Sequence, residues 1–170
     1  MSTFEHKKEA PKSVNCKVIT ISDTRTKDTD KSGQLMIRLL KEHGHHIAAY
    51  EIVKDEQIAI RSAILNGCES DNIDVVLTNG GTGIAKRDVT IETVKQLIEK
   101  EIVGFGELFR MLSYTEDIGS AAILSRAIAG VSLNTAVFST PGSSGAVTLA
   151  MKKLILPEIG HVVREIRKDL

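Results

Sequence analysis

The run VVLTNGGTGIAKRD, residues 75–88, decides the fold. Val75, Val76 and Leu77 make the kind of unbroken apolar stretch that a parallel sheet buries on both faces. The chain then leaves through Thr78 to Gly83, six positions that hold three glycines and two threonines. The charged residues Lys86, Arg87 and Asp88 follow. Glycine permits positive φ and lets a ligand approach the backbone closely. Successive N–H groups can form an anion nest, and the Thr78 and Thr82 hydroxyls add donors. A helix beginning near Thr90 adds partial positive charge. Phosphate is the natural guest of such a loop, while a glycine pair after a strand also reads as a plain tight turn. The common nucleotide patterns are absent. There is no G-x-x-x-x-G-K-[ST], and Gly81-Thr82-Gly83 runs on to Lys86 where a dinucleotide fingerprint needs glycine. Gly104-Phe105-Gly106 also lacks its third glycine and reads as a helix start.

On either side of this run, strand and helix patterns alternate. Residues 16–21 (CKVITI) read as a strand, and 32–43 place Leu35, Met36, Leu39 and Leu40 on one helical stripe that stops at Gly44. Residues 46–53 read as a second strand. A helix over 56–66, stopped by Gly67, precedes the third strand at 74–77. Thr90 is positioned to cap a helix carrying Val94, Leu97 and Ile98. Phe105, Leu108, Phe109 and Leu112 mark another helix, and 127–139 alternate around Asn134 as a hairpin or two strands. The small-residue turn STPGSSG (139–145) opens a helix near Ser143, and Pro157 starts a last one. Such alternation predicts an α/β fold, a three-layer α/β/α sandwich with a mostly parallel sheet. One domain is expected over 15–170, behind a loose polar tail at 1–14.

Bulk properties narrow the function. The 22 basic and 22 acidic residues cancel, which argues against nucleic acid or an anionic membrane as partner. Aromatics are 4% and Trp is absent, so no base-stacking platform is expected. Cys16 and Cys68 lack metal-type spacing and read as reduced, structural thiols. No signal-like or membrane-spanning run occurs, which makes the cytoplasm the default location. His43, His45 and His46 read as a solvated turn, and His161 as a residue at the edge of the core.

Ligands of such folds bind beyond the carboxyl ends of the strands. The glycine loop and the 139–145 turn both leave strand ends, so a shared cleft is expected. A carboxylate beside a phosphate repels it unless a cation intervenes, and Mg²⁺ binds through one or two carboxylates plus phosphate oxygens. Asp88, Asp55 and Asp23 are candidates for that rim, although Asp88 also reads as a cap or a solvated charge and Asp23 as a turn cap. Lys86 and Arg87 either steady phosphate charge or are simply solvated, and Glu107 reads as surface.

Several segments, in order, resemble the molybdenum cofactor biosynthesis protein B family (MoaB/Mog type). They are SDTRTKDTDKSG (22–33), DEQIAI (55–60), TNGGTGIAKRDVTIETV (78–94), KEIVGFGELFRMLSY (100–114), AAILSRAIAG (121–130) and STPGSSGAV (139–147). The resemblance implies a domain that binds molybdopterin, a pterin with dithiolene sulfurs and a terminal phosphate. It implies transfer of AMP from Mg·ATP to that phosphate, with hand-over to a molybdenum-insertion enzyme and assembly as a homotrimer or homohexamer. The family's phosphate loop falls on Thr78, Gly80, Gly81, Thr82 and Gly83. Its activity-linked aspartates fall on Asp55 and Asp88, also the implied Mg²⁺ ligands. Ser22, Asp23, Pro141, Gly142 and Ser143 complete the implied binding set. Two alternatives stand beside this reading: a non-catalytic carrier of molybdopterin or a precursor, and a generic nucleotide-binding regulatory domain.

Overall fold

Alternating burial builds the centre of the molecule. The computed structural model describes residues 2–170. Strand β1 (Asn15–Ile21) packs Cys16 and Val18 into one core and Ile19 and Ile21 into another. Strand β3 (Val75–Asn79) likewise divides Val75 and Leu77 from Val76. A sheet apolar on both faces needs a helical layer on each. Helices α2 (Lys31–Glu42), α5 (Val103–Glu116), α6 (Ser144–Ala150) and α7 (Leu156–Arg167) supply one layer. Helices α3 (Gln57–Cys68) and α4 (Thr90–Leu97) supply the other.

The remaining strands are β2 (His46–Val53), β4 (Lys100–Glu101), β5 (Ile128–Ser132) and β6 (Thr135–Thr140). The six-stranded sheet has the order β2-β1-β3-β6-β5-β4. β2, β1, β3 and β6 are parallel, β5 runs antiparallel to β6, and the two-residue β4 runs antiparallel to β5. Leu133 and Asn134 turn the β5–β6 hairpin with φ of 49° and 63°, the left-handed pair that a two-residue primed turn requires. β1 and β3 are neighbours, yet α2 and α4, which follow them, lie on opposite faces. The chain parts there, which opens a crevice at the carboxyl ends of the two strands.

The structure corrects several local expectations. The segment expected as a loose tail contains helix α1 (Thr3–Glu9), closed at its start by a reciprocal Ser2–Glu5 capping box and lying against α7. Gly67 does not stop α3. The helix continues to Cys68, and a Cβ at Gly67 would come within 2.7 Å of Val76 Cγ2, so this glycine serves close helix–sheet approach. Thr90 does not cap α4; its hydroxyl donates instead to Gly80 O at 3.0 Å. His45 is buried, and its Nδ1 accepts the Val14 N–H at 3.3 Å. The two C-terminal helices form one rod, joined by a π-turn at Met151–Ile155. Pro157, which has no N–H to give, falls in the first turn after that widening.

Candidate functional site

The glycine loop is shaped by its neighbours. Gly80 and Gly81 have φ of 99° and 66°, conformations that side chains other than glycine rarely adopt. A Cβ at Gly80 would lie 2.2 Å from Ile21 O, and one at Gly81 would lie 2.3 Å from Thr90 Oγ1 and 2.8 Å from Asp55 Oδ1. Gly80 N–H donates to Thr140 O at 3.0 Å, and Thr90 N–H donates to Gly81 O at 3.0 Å, which ties the loop to β6 and to α4. Among the described residues, the N–H groups of Gly81, Thr82 and Gly83 have no hydrogen-bond partner. Three donors in succession are what an anion nest needs. Beneath them, the buried Asn79 donates through Nδ2 to Thr20 Oγ1 at 2.9 Å, while its Oδ1 has no partner.

A cleft of about 630 Å³ opens over this loop. Ser22, Asp55, Gly80, Gly81, Thr82, Gly83, Asp88, Pro141 and Gly142 all line it, so most of the predicted set converges. Three of the set stand apart. Thr78 is fully buried, and its hydroxyl donates to Ser139 Oγ at 2.8 Å within the sheet. Ser143 caps α6 by accepting the Ala146 N–H at 3.2 Å. Asp23 lies on the rim and takes Arg87 with both oxygens, at 2.7 and 3.0 Å. Lys86 and Glu107 are exposed.

Carboxylates crowd one side of the cleft. The Arg87 guanidinium bonded to Asp23 holds that carboxyl below its ordinary value. Burial, reinforced by the charges of Asp23 and Asp88, pushes the Asp55 carboxyl up. Asp88 Oδ2 accepts the Ala85 N–H at 3.0 Å and abuts Gly83, where a Cβ would come within 2.5 Å. Asp55 and Asp88 therefore both press on the loop that offers free N–H donors. Oxygen ligands of this kind, next to a place for phosphate oxygens, fit a Mg²⁺ ion.

Two arginines of the site carry no local sequence signal. Arg126 reaches back to hold the loop, with Nε donating to Thr82 O at 3.0 Å and Nη2 to Gly83 O at 2.6 Å. It is anchored by an ion pair with Glu92. Arg25 joins the two small-residue turns, donating through Nη2 to Gly142 O at 3.0 Å and through Nη1 to Ser32 Oγ. Ser32 also donates to Gly142 O, at 2.8 Å. Sequence separations of 44 for Arg126 and Thr82, and of 117 for Arg25 and Gly142, hide these contacts from any reading of spacing. The two thiols take no part: both are buried, which pushes Cys16 up to about 12 and Cys68 to about 11.

This arrangement has known counterparts. A family model described as "Probable molybdopterin binding domain" matches residues 17–161. The chain belongs to this family of molybdenum cofactor biosynthesis proteins. Molybdenum cofactor biosynthesis protein B of Bacillus subtilis (strain 168) is 71% identical over 169 residues, 99% of each chain. The Bacillus cereus protein of the same name is 66% identical over 169 residues, 99% of this chain and 100% of its own. A crystal structure of molybdenum cofactor biosynthesis protein B superposes with a TM-score of 0.91 at 65% identity, covering 94% of this chain and 99% of that one. The tungsten cofactor synthesizing protein MoaB from Pyrococcus furiosus gives 0.82 at 42% identity, covering 93% and 99%. The sheet with helices on both faces is the family's fold. Among the described residues, no helix is long and apolar enough to cross a membrane.

Proposed function

We propose that the protein binds molybdopterin by its terminal phosphate in the glycine loop and adenylylates that phosphate with Mg·ATP. The observation that carries this reading is the pairing of three partnerless N–H donors, on Gly81, Thr82 and Gly83, with two carboxylates at the same loop. In the reaction, an oxygen of the pterin phosphate attacks the α-phosphorus of ATP. A new P–O bond forms, the bond to the β-phosphate oxygen breaks, and pyrophosphate leaves. Such transfers depend on positioning and charge stabilisation more than on covalent chemistry. Gly81, Thr82 and Gly83 orient the nucleophilic phosphate, and Arg126 fixes the loop through the carbonyls of Thr82 and Gly83. Asp55 and Asp88 hold Mg²⁺, which supplies charge neutralisation for the triphosphate. Arg25 holds the Pro141–Gly142 wall against Ser32.

The reading includes a homotrimer or homohexamer. Val103, Leu108, Met111 and Tyr114 stand exposed along α5, and Ile118 and Leu124 extend this apolar surface to the cleft itself. Several such side chains in one contiguous patch support burial against another copy. Light scattering on the purified chain tests this, and a monomer at micromolar concentration overturns it. The chemistry is tested by incubating protein, molybdopterin, ATP and Mg²⁺ and detecting the product by mass. Adenylylated pterin that requires Mg²⁺ is the expected result. Pterin bound but unaltered, while a known active relative turns over alongside, makes the protein a carrier that passes its ligand to a molybdenum-insertion enzyme.

A further inference from the structure

At the opposite end of the sheet from the cleft, α1 brings a second set of polar side chains together. A seven-residue helix is too short to persist on its own in water, so it depends on what it touches. His6 meets α7 with its ring edge-on to His161, the centroids 5.9 Å apart. Glu165 completes the group: its Oε1 lies 3.1 Å from His6 Nδ1 and 4.0 Å from His161 Nε2. One ligand atom from each of His6, His161 and Glu165 lies within 4.8 Å of the others, and all three side chains are half-buried.

We propose that His6, His161 and Glu165 bind one Zn²⁺ ion that fastens α1 to α7. Tetrahedral Zn²⁺ with bonds of about 2.0–2.1 Å sets its ligand atoms about 3.3 Å apart, so the His6–Glu165 pair at 3.1 Å already fits and the His161–Glu165 pair at 4.0 Å must draw closer. Two imidazoles and one carboxylate favour a transition metal over Mg²⁺ or Ca²⁺. Water takes the fourth position. The surroundings are built for such an ion. His161 Nδ1 lies 2.9 Å from Glu158 Oε2, which directs Nε2 toward Glu165. Glu158 is itself held by Lys7. A carboxylate on the far nitrogen is the usual orienting partner of a metal-bound histidine. Arg164 and Lys168 also contact Glu165, at 2.7 and 2.9 Å. A carboxylate has about four acceptor positions, so Oε1 can serve metal and Arg164 together. Arg164 is also paired with Glu9 of α1, at 2.6 Å, so ion and ion pair act on the same junction.

Calorimetric titration of the full chain with Zn²⁺ alone tests the site, with Mg²⁺ in a parallel titration. One Zn²⁺ per chain is expected at this site. His6→Ala, on a helix outside both cores, should abolish that binding and leave the fold intact by circular dichroism. Glu158→Gln should weaken it by about 10- to 100-fold. Asp88→Asn should leave it unchanged, which separates the site from capture of Zn²⁺ in the cleft. Hydrogen exchange at residues 3–9 should slow on adding Zn²⁺. Absence of saturable binding, binding unchanged by His6→Ala, or binding lost with Asp88→Asn overturns the proposal.

Discussion

Asp30 and Asp55 both lie beyond the carboxyl ends of parallel strands, yet their surroundings differ in sign. Asp30 is 1% exposed and fully answered. It accepts from Gly33 N at 3.0 Å, Thr20 Oγ1 at 2.6 Å and Tyr50 OH at 2.5 Å, with Arg25 3.6 Å away. Asp55 meets other carboxylates instead, and its own N–H donates to Asp23 Oδ1 at 3.1 Å. A buried carboxylate that collects donors fixes the loops around it. A carboxylate crowded by like charge is poorly arranged for the protein alone and well arranged for a cation. The first kind serves the scaffold and the second serves the ligand.

Substitutions can break this division. Asp88→Asn should lower turnover about 1000-fold or more while pterin binding, read by equilibrium titration, persists; unchanged turnover would remove Asp88 from the chemistry. Asp30→Ala should cost about 3 kcal/mol of stability in urea unfolding, because it strands Thr20, Tyr50 and Gly33 N–H. A loss below about 1 kcal/mol would mean that the network adds little. Gly81→Ala should cost about 2 kcal/mol, since its φ is 66° and Thr90 Oγ1 occupies the space of a Cβ. Arg126→Ala should raise KM for the pterin about tenfold, about 1.4 kcal/mol, with a smaller change in kcat. An equal fall in kcat and kcat/KM would show it acting on the transition state.

The smallest effect has the opposite sign. Asp55 has its carboxyl pushed above the ordinary value of 3.8, so folding favours the protonated form. Its contribution is stabilising below that value and is lost as pH rises through the elevated one. Asp55→Asn should therefore stabilise the ligand-free protein at neutral pH, by up to about 1 kcal/mol, with the gain vanishing in acid. Denaturant titrations at pH 3.5 and pH 7 measure both ends. A destabilised Asn variant at pH 7 would place Asp55 with Asp30 on the structural side.

The parts legible in the sequence were those encoded locally. Val75 to Leu77 and the glycines after them fix a buried strand and a side-chain-poor exit without reference to the rest of the chain. Thr78 lies away from the cleft because β3 runs two residues further than its apolar run, which carries the hydroxyl into the sheet beside Ser139. Helix α1 had a readable signal, the S-x-x-E spacing of Ser2 and Glu5, masked by the absence of an apolar stripe. Arg25, Arg126 and the Asp30–Tyr50 contact were not legible. Each depends on which strand lies beside which, and that order joins residues far apart in the chain.

The π-turn at 151–155 is the place where the C-terminal rod can take up a change of length. An α-helix advances about 100° per residue, so one wide turn re-phases everything beyond it. Met151, Ile155, Ile159 and Val163 face the same core across this turn. Five residues in a wide turn cover about the same rotation as four in an α-helix, so deleting one residue there would restore a regular helix and leave Ile159 and Val163 facing the sheet. A one-residue deletion in the regular part of the rod before His161 would instead turn His161 and Glu165 by about 100°, away from His6. The rod thus behaves as a keyed shaft: it tolerates changes of side chain along its outer face, but a one-residue indel outside the wide turn turns the key out of its slot.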